Sequence, residues 1–154
     1  MKPAIRSAVV VVSLLAFAAG APAELAKWDQ AKVTELGKQL ETATNELWQS
    51  FRRQPEPTRA SPQRKRFFQL RQEIRQLRRE ARSLSRALQR GEDQEATEPS
   101  YRSMMQTVRA ARDNARVVFS GADVQQRAGV VLDILNQLTP FYDASAPPLA
   151  PVSR

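Results

Sequence analysis

The chain has 154 residues, a formal net charge of +8, no cysteine and no histidine. Without cysteine it forms no disulfide, and it lacks the usual ligands of structural zinc and iron–sulfur clusters. Without histidine it cannot support serine–histidine catalysis, an ordinary zinc hydrolase site or the common haem ligation of helical bundles. We therefore expect one non-enzymatic domain that needs no cofactor.

Residues 1–23 have the layout of a secretory signal peptide. Lys2 and Arg6 precede an apolar run of 13 residues, and a small-residue cleavage signal ends at Ala23. A membrane span needs roughly 20 apolar residues, so this run is too short for a stable anchor. We predict cleavage after Ala23 and a periplasmic or secreted protein without a transmembrane span. Its mature chain carries 22 basic and 16 acidic residues, a net charge of +6.

The first predicted helix covers residues 24–54. Its apolar residues step by three and four, which places them on one face of a helix: Val33, Leu36, Leu40, Ala43 and Leu47. Trp28, Trp48 and Phe51 widen this apolar stripe, and a helix with two neighbours in a bundle needs such a wide stripe. Alternatively, these three aromatic residues form an exposed apolar contact surface.

The second predicted helix covers residues 61–90. Ser61 is the expected N-cap, Pro62 suits the first helical position, and Gly91 suits a left-handed C-cap. Its apolar residues repeat every seven positions, which is typical of a helix packed lengthwise against other helices. The repeat consists of Phe67, Leu70, Ile74, Leu77, Ala81, Leu84 and Leu88.

The same helix carries the charge of the chain. From position 64 to position 90 there are ten basic and two acidic residues, a net charge of +8. With Phe67 at heptad position a, eight of these ten basic residues fall at b, e and f, while Glu73 and Glu80 fall at g. Arginine binds phosphate and carboxylate groups bidentately, so we predict an anion-binding surface here. Its members, called the arginine face below, are Arg71, Arg75, Arg78, Arg79, Arg82 and Arg86.

The third predicted helix covers residues 99–119 and follows an acidic loop at residues 92–98. Ala110, Ala111 and Ala115 are small enough to let a neighbouring helix approach this one closely. The pattern therefore allows a neighbouring helix to pack closely along this part of the helix.

Gly121 interrupts the helical pattern, and Asp123 with Gln126 is typical of a capping box that opens a fourth helix. We expect this helix to end near Leu138, because Pro140 disfavours helical continuation. Residues 141–154 are rich in proline and lack periodicity, which predicts a disordered tail.

Residues 24–140 are thus predicted to form one all-α domain. Four amphipathic helices with short connections favour an antiparallel up-down-up-down four-helix bundle. In the alternative, the third and fourth helices form one element kinked at Gly121, which gives a three-layer bundle. A self-complementary seam between two copies would also allow a homodimer.

The arginine face indicates an anionic envelope component or an acidic protein as the partner. Alternatively, its arginines are only solvated and ion-paired within a purely structural bundle. Nucleic acid is disfavoured because Phe67 and Phe68 are the only aromatic residues among these charges. Catalysis by two carboxylates is disfavoured because Glu73 and Glu80 lie ~10.5 Å apart along a helix.

An exported, basic, helical chain without cysteine also resembles small envelope chaperones of the Spy/CpxP kind. Those proteins carry a Leu-Thr-x-x-Gln motif, and this chain offers Leu138 and Thr139 followed by Pro140, Phe141 and Tyr142. The match covers two residues, so we assign no family and transfer no site residue. The resemblance implies a second functional hypothesis, in which a periplasmic chaperone binds clients through apolar surface.

Overall fold

A computed structural model describes residues 24–118 and 120–150, and the predicted signal peptide lies outside these residues. The described chain contains four α-helices and no strand. They are α1 (Gln30–Arg52), α2 (Arg64–Gln89), α3 (Gln94–Ala115) and α4 (Ala122–Tyr142). This confirms an all-helical fold with four helices.

The helices surround one apolar core, but they do not share their contacts equally. The extensive contacts join α1 to α2, α2 to α3 and α1 to α4, whereas α3 and α4 approach each other at only a few positions. Every residue of the predicted apolar repeat in α2 is buried, as are the five stripe residues of α1. The sequence periodicity therefore predicted the core faces of these two helices correctly.

Helix α1 begins six residues later than the sequence pattern predicted. Asp29 adopts an extended backbone conformation, and its carboxylate accepts a hydrogen bond from the Lys32 amide at 3.0 Å, which caps the helix. The preceding segment instead bonds to the end of α4, because the Ala26 amide donates to the Pro140 carbonyl at 2.8 Å.

Helix α2 begins three residues after the predicted N-cap. Residues 62 and 63 form a turn, and the Ser61 hydroxyl accepts from the Gln63 amide at 3.3 Å. At the other end Gly91 has φ +83°, so its predicted left-handed conformation is confirmed. Two side chains of α1 then cap α2: Gln30 and Thr34 both donate to the Leu88 carbonyl, at 3.0 and 3.1 Å.

Helix α3 begins five residues earlier than predicted, so most of the expected acidic loop is helical. Asp93 is the N-cap, and its carboxylate accepts from the Ala96 amide at 3.0 Å. Pro99 lies inside the helix, where it removes one backbone donor. The carbonyl that loses its helical partner belongs to Glu95, an exposed residue, so water can satisfy it.

Helix α4 differs from its prediction at both ends. Gly121 is the N-cap, and it has no side chain that could cap the helix. Asp123 instead accepts a hydrogen bond from Ser50 of α1 and so joins two helices. The expected capping box is therefore wrong. The helix also continues through Pro140 to Tyr142, because Phe141 and Tyr142 are core residues whose burial stabilises this extra turn. The expected disordered tail thus wrongly included these two residues.

Helices α3 and α4 are separate elements, since residues 116–118 and 120–121 between them are not helical. The small residues of α3 do not bring α4 close to it: Ala111 and Ala115 are half-buried, and Ala110 is exposed. Within residues 24–118 and 120–150, none of the helices is both long and apolar enough to cross a lipid bilayer.

Candidate functional site

Three guanidinium groups surround the indole ring of Trp48. The guanidinium carbons of Arg75 and Arg78 lie 5.2 and 5.5 Å from the ring centroid, and that of Arg52 lies 6.0 Å away. Trp48 is only 6% exposed. These three arginines, called the arginine cluster below, thus converge on one aromatic surface at the junction of α1 and α2.

Helical spacing explains why the cluster forms. Arg52 follows Trp48 by four residues and therefore lies one turn away on the same side of α1. Arg75 and Arg78 are three residues apart on α2, at heptad positions b and e, which face α1. The packing of α1 on α2 then brings both over the indole.

The cluster is held by the aromatic ring and not by carboxylates. Among the described residues, none of the three arginines forms an ion pair or a side-chain hydrogen bond. Cation–π attraction contributes about 0.5–1 kcal/mol per partly exposed contact. A guanidinium over a ring keeps the N–H donors on its edge free. Three like charges close together with free donors form a site that favours an anion.

The rest of the arginine face is partly neutralised. Arg71 pairs with Glu56 at 2.7 Å, and Arg82 pairs with Glu41 of α1 at 3.5 Å. Arg79 donates to Gln76. The Arg86 side chain is exposed and forms no ion pair or hydrogen bond within the described chain. Surface pairs of this kind contribute little stability, so Arg71 and Arg82 can exchange their partners for a stronger anion.

The acidic residues of α2 face away from the cluster, toward α3. Asn114 donates to Glu73 at 2.6 Å and accepts from Arg66 at 2.8 Å, and Ser103 donates to Glu80 at 2.9 Å. Burial raises the pKa of the Glu73 carboxyl, against the opposing effect of its hydrogen bond from Asn114. The heptad assignment therefore separated the arginine face of α2 from the side that packs on α3.

The aromatic residues considered as an apolar contact surface are not exposed together. Phe51 is 1% exposed and stacks on Phe67, with ring centroids 5.0 Å apart. Trp28 is half-buried, packs edge-on against Tyr142 at 5.5 Å, and donates from Nε1 to Gln30 at 2.9 Å. Since Trp48 lies under the arginine cluster, these residues do not form a continuous apolar patch.

Sequence reasoning named Arg75 and Arg78 but missed the third arginine and the surface that gathers them. Arg52 stands at the end of α1, outside the charged repeat, and Trp48 was assigned to an apolar stripe. The spacing of four residues between Trp48 and Arg52 was the available signal. It becomes informative only when α2 is known to pack across this end of α1.

No protein-family model, curated protein or solved structure matches the chain in the three comparisons with known proteins. Function is therefore argued from the site itself.

Proposed function

We propose that this protein is an exported, non-enzymatic helical-bundle protein that binds a phosphate-bearing component of the cell envelope. The arginine cluster is the centre of the binding surface, and the rest of the arginine face extends it along α2. The observation that carries the proposal is the convergence of Arg52, Arg75 and Arg78 on Trp48 without a carboxylate partner.

The shape of the surface favours phosphate groups. The planar fork of arginine binds a phosphate through two parallel hydrogen bonds, and three such forks around one ring can share a single dianion. Outward-facing Arg79 and Arg86 add charge on the solvent side of the same helix. Phospholipid headgroups and lipopolysaccharide both present phosphates in the compartment that the predicted signal peptide indicates. An acidic protein would supply carboxylates instead, and the experiment below separates the two.

We take the course of the chain to be up-down-up-down. The support is that Thr97, early in α3, bonds to Tyr142 at the end of α4, while Gln54, after α1, bonds to Gly121 before α4. In this arrangement the arginine cluster lies on the outer surface of the α1–α2 pair, where a flat lipid surface can reach it.

The experiment compares two triple variants that lose the same net charge. In the first, Arg52, Arg75 and Arg78 become glutamine. In the matched control, the exposed residues Arg102 and Arg109 of α3 and Arg116, its C-cap, become glutamine. Each basic residue near an anionic lipid surface contributes about 1 kcal/mol, so the first variant should bind vesicles containing phosphatidylglycerol roughly a hundredfold more weakly than the wild type.

The control variant should keep most of its affinity, and binding by the wild type should fall as salt concentration rises. Equal losses in both variants would mean that net charge alone drives binding, which contradicts a defined site. Wild-type protein that ignores these vesicles and binds only an acidic protein, such as a poly-glutamate chain, would contradict the phosphate assignment. Circular dichroism of both variants checks that the helices stay folded.

The alternative of a client-binding chaperone acting through Trp28, Trp48 and Phe51 has less support. It requires exposed aromatic surface, and Trp48 and Phe51 are buried.

A further inference from the structure

The bundle has an apolar depression where α3 and α4 separate. Between them is a groove of about 190 Å³, called the α3–α4 groove. Its walls come from small residues of the two helices, including Ala111, Ala115 and Gly129, and its floor is formed by Leu47, Ile74 and Leu77. This is more room than the ~150 Å³ apolar cavity that is known to bind benzene in another protein.

Gly129 shows that the groove is open at the level of the backbone. A Cβ atom built on Gly129 would meet no heavy atom within 4 Å. Glycine in a helix interior costs about 1 kcal/mol relative to alanine, and in a buried contact that cost is usually offset by close packing. No such packing offsets it here among the described residues, so the glycine keeps the groove wide.

The chain's own C-terminal segment already binds at one end of the groove as an extended peptide would. The Asn136 side-chain amide donates to the Leu149 carbonyl at 3.1 Å and accepts from the Leu149 amide at 2.7 Å. One turn before Asn136 on the same side of α4 is Leu132, which lines the groove. Leu149 packs on the core beside these residues.

Arg112 continues this pattern into the groove. Its Nη2 donates to the Ala150 carbonyl at 2.9 Å, and its side chain lines the groove. Its Nε is buried and has no hydrogen-bond acceptor in the described chain. A buried donor without an acceptor costs about 1–3 kcal/mol, so a peptide carbonyl placed at this point would be stabilised.

We propose that the α3–α4 groove binds an extended apolar segment of a partner protein, in line with the segment Leu149–Ala150. Apolar side chains of the partner would cover the leucine floor, and its backbone carbonyl would accept from Arg112 Nε. Extended peptides bind grooves in this way, with backbone hydrogen bonds giving affinity and side-chain pockets giving selectivity. Leu149 covers the neighbouring end, so the chain's own segment limits how far such a peptide can reach. This site is independent of the arginine cluster.

The test uses a fluorescein-labelled peptide, Ser-Val-Leu-Val-Leu-Ser, whose apolar residues are designed for the groove and which does not repeat the chain's own residues 146–150. Fluorescence anisotropy should show saturable binding to the wild-type protein. Gly129→Leu should weaken binding roughly tenfold because the leucine fills the groove, and it should not unfold the helix, since leucine is a better helix former than glycine. The matched control is Ala110→Leu, which adds the same side chain on the exposed side of α3 and should bind the peptide like the wild type.

Leu149→Ser supplies an independent arm, because it loosens the chain's own segment while leaving Asn136 and Arg112 in place. It should raise peptide affinity severalfold. No binding to any variant, or equal binding to the wild type and Gly129→Leu, would overturn the proposal. Binding to Leu149→Ser alone would assign the groove to the chain's own segment and would also overturn a partner. Sedimentation supplies a last outcome: if the wild-type protein is a dimer and Gly129→Leu is a monomer, the occupant is a second copy of the chain, which would also overturn the proposal.

Discussion

The α1–α2 contact and the α3–α4 contact both contain small residues at helical spacing, and they have opposite outcomes. At Gly37 the helices are so close that an added Cβ would lie 2.9 Å from Leu88 Cδ1 and 3.4 Å from Ser85 Cα. At Gly129 an added Cβ would meet nothing within 4 Å. The α1–α2 contact is thus a closed seam that presents charge outward. The α3–α4 contact is an open seam that presents apolar surface.

Large side chains join the first half of α3 to the end of α4. Tyr101 and Tyr142 stack with ring centroids 4.3 Å apart, and each hydroxyl bonds to a threonine of the opposite helix at 2.9 Å. The two helices therefore meet at this end of the bundle, whereas the α3–α4 groove separates them farther along. Small residues permit close approach, but they do not by themselves produce it.

The largest expected effect is at the closed seam. Gly37→Leu should lower the free energy of unfolding by about 2–3 kcal/mol, because the added side chain meets Leu88 and the Ser85 backbone. Urea denaturation followed by circular dichroism measures this change. A variant as stable as the wild type would show that α1 and α2 can move apart easily. The α1–α2 contact would then not be more closely packed than the α3–α4 contact.

A smaller loss is expected at the tyrosine pair. Tyr142→Phe removes a buried hydrogen bond to Thr97 and should cost about 1 kcal/mol at neutral pH. Burial raises the pKa of the Tyr142 hydroxyl, so the folded state favours the protonated form. Wild-type stability should therefore fall as pH rises above the unfolded-chain value of about 10, and the deficit of the variant should shrink there. A deficit that stays constant through alkaline pH would argue against this burial.

At the open seam the expected sign is reversed. Gly129→Leu should raise the free energy of unfolding by roughly 0.5–1 kcal/mol, since it removes a helix-interior glycine without a clash. Thermal unfolding of this variant beside Gly37→Leu gives the sharpest contrast, because the substitution is identical. Destabilisation of both variants would mean that the α3–α4 groove is closed in solution.

The smallest effect concerns the side of α2 that packs on α3. Because burial raises the pKa of Glu73, its ionised form costs stability, and this cost is absent below the unfolded-chain value of about 4.3. The cost grows as pH rises through the folded-state pKa. Glu73→Gln keeps an oxygen for Asn114 and should gain stability relative to the wild type between acidic and neutral pH. A difference in the free energy of unfolding between Glu73→Gln and the wild type that is the same at acidic and at neutral pH would contradict this assignment.

Much of the fold follows from sequence periodicity, because a buried stripe leaves a pattern that survives without knowledge of its neighbours. The apolar repeats of α1 and α2 were predicted residue by residue, as was the left-handed Gly91. Helix ends were predicted less well. The N-cap Asp93 bonds locally to Ala96, so its signal was in the sequence but was overlooked. Phe141 extends α4 through core contacts that the linear pattern does not contain. Pro140 argued for a stop, and the burial of the next two residues outweighed it.

The candidate sites were only half visible in the sequence. The sequence shows directly that the arginine face is strongly basic. Its organisation depends on Trp48, and the role of Trp48 appears only when α1 and α2 are packed together. The α3–α4 groove was hidden because Ala111 and Ala115 permit a close helix approach, and only the packed structure shows that α3 and α4 meet at few positions.

Trp48 fluorescence tests most directly whether an anionic group binds at the arginine cluster. Since the chain has two tryptophans, a Trp28→Phe variant makes Trp48 the only reporter. Its fluorescence should change saturably when vesicles containing phosphatidylglycerol are added, because binding draws the guanidinium groups toward the phosphates. The change should disappear in high salt and in a variant with Arg75→Gln and Arg78→Gln added. Vesicle binding with unchanged Trp48 emission would contradict the account, because the anion would then bind elsewhere.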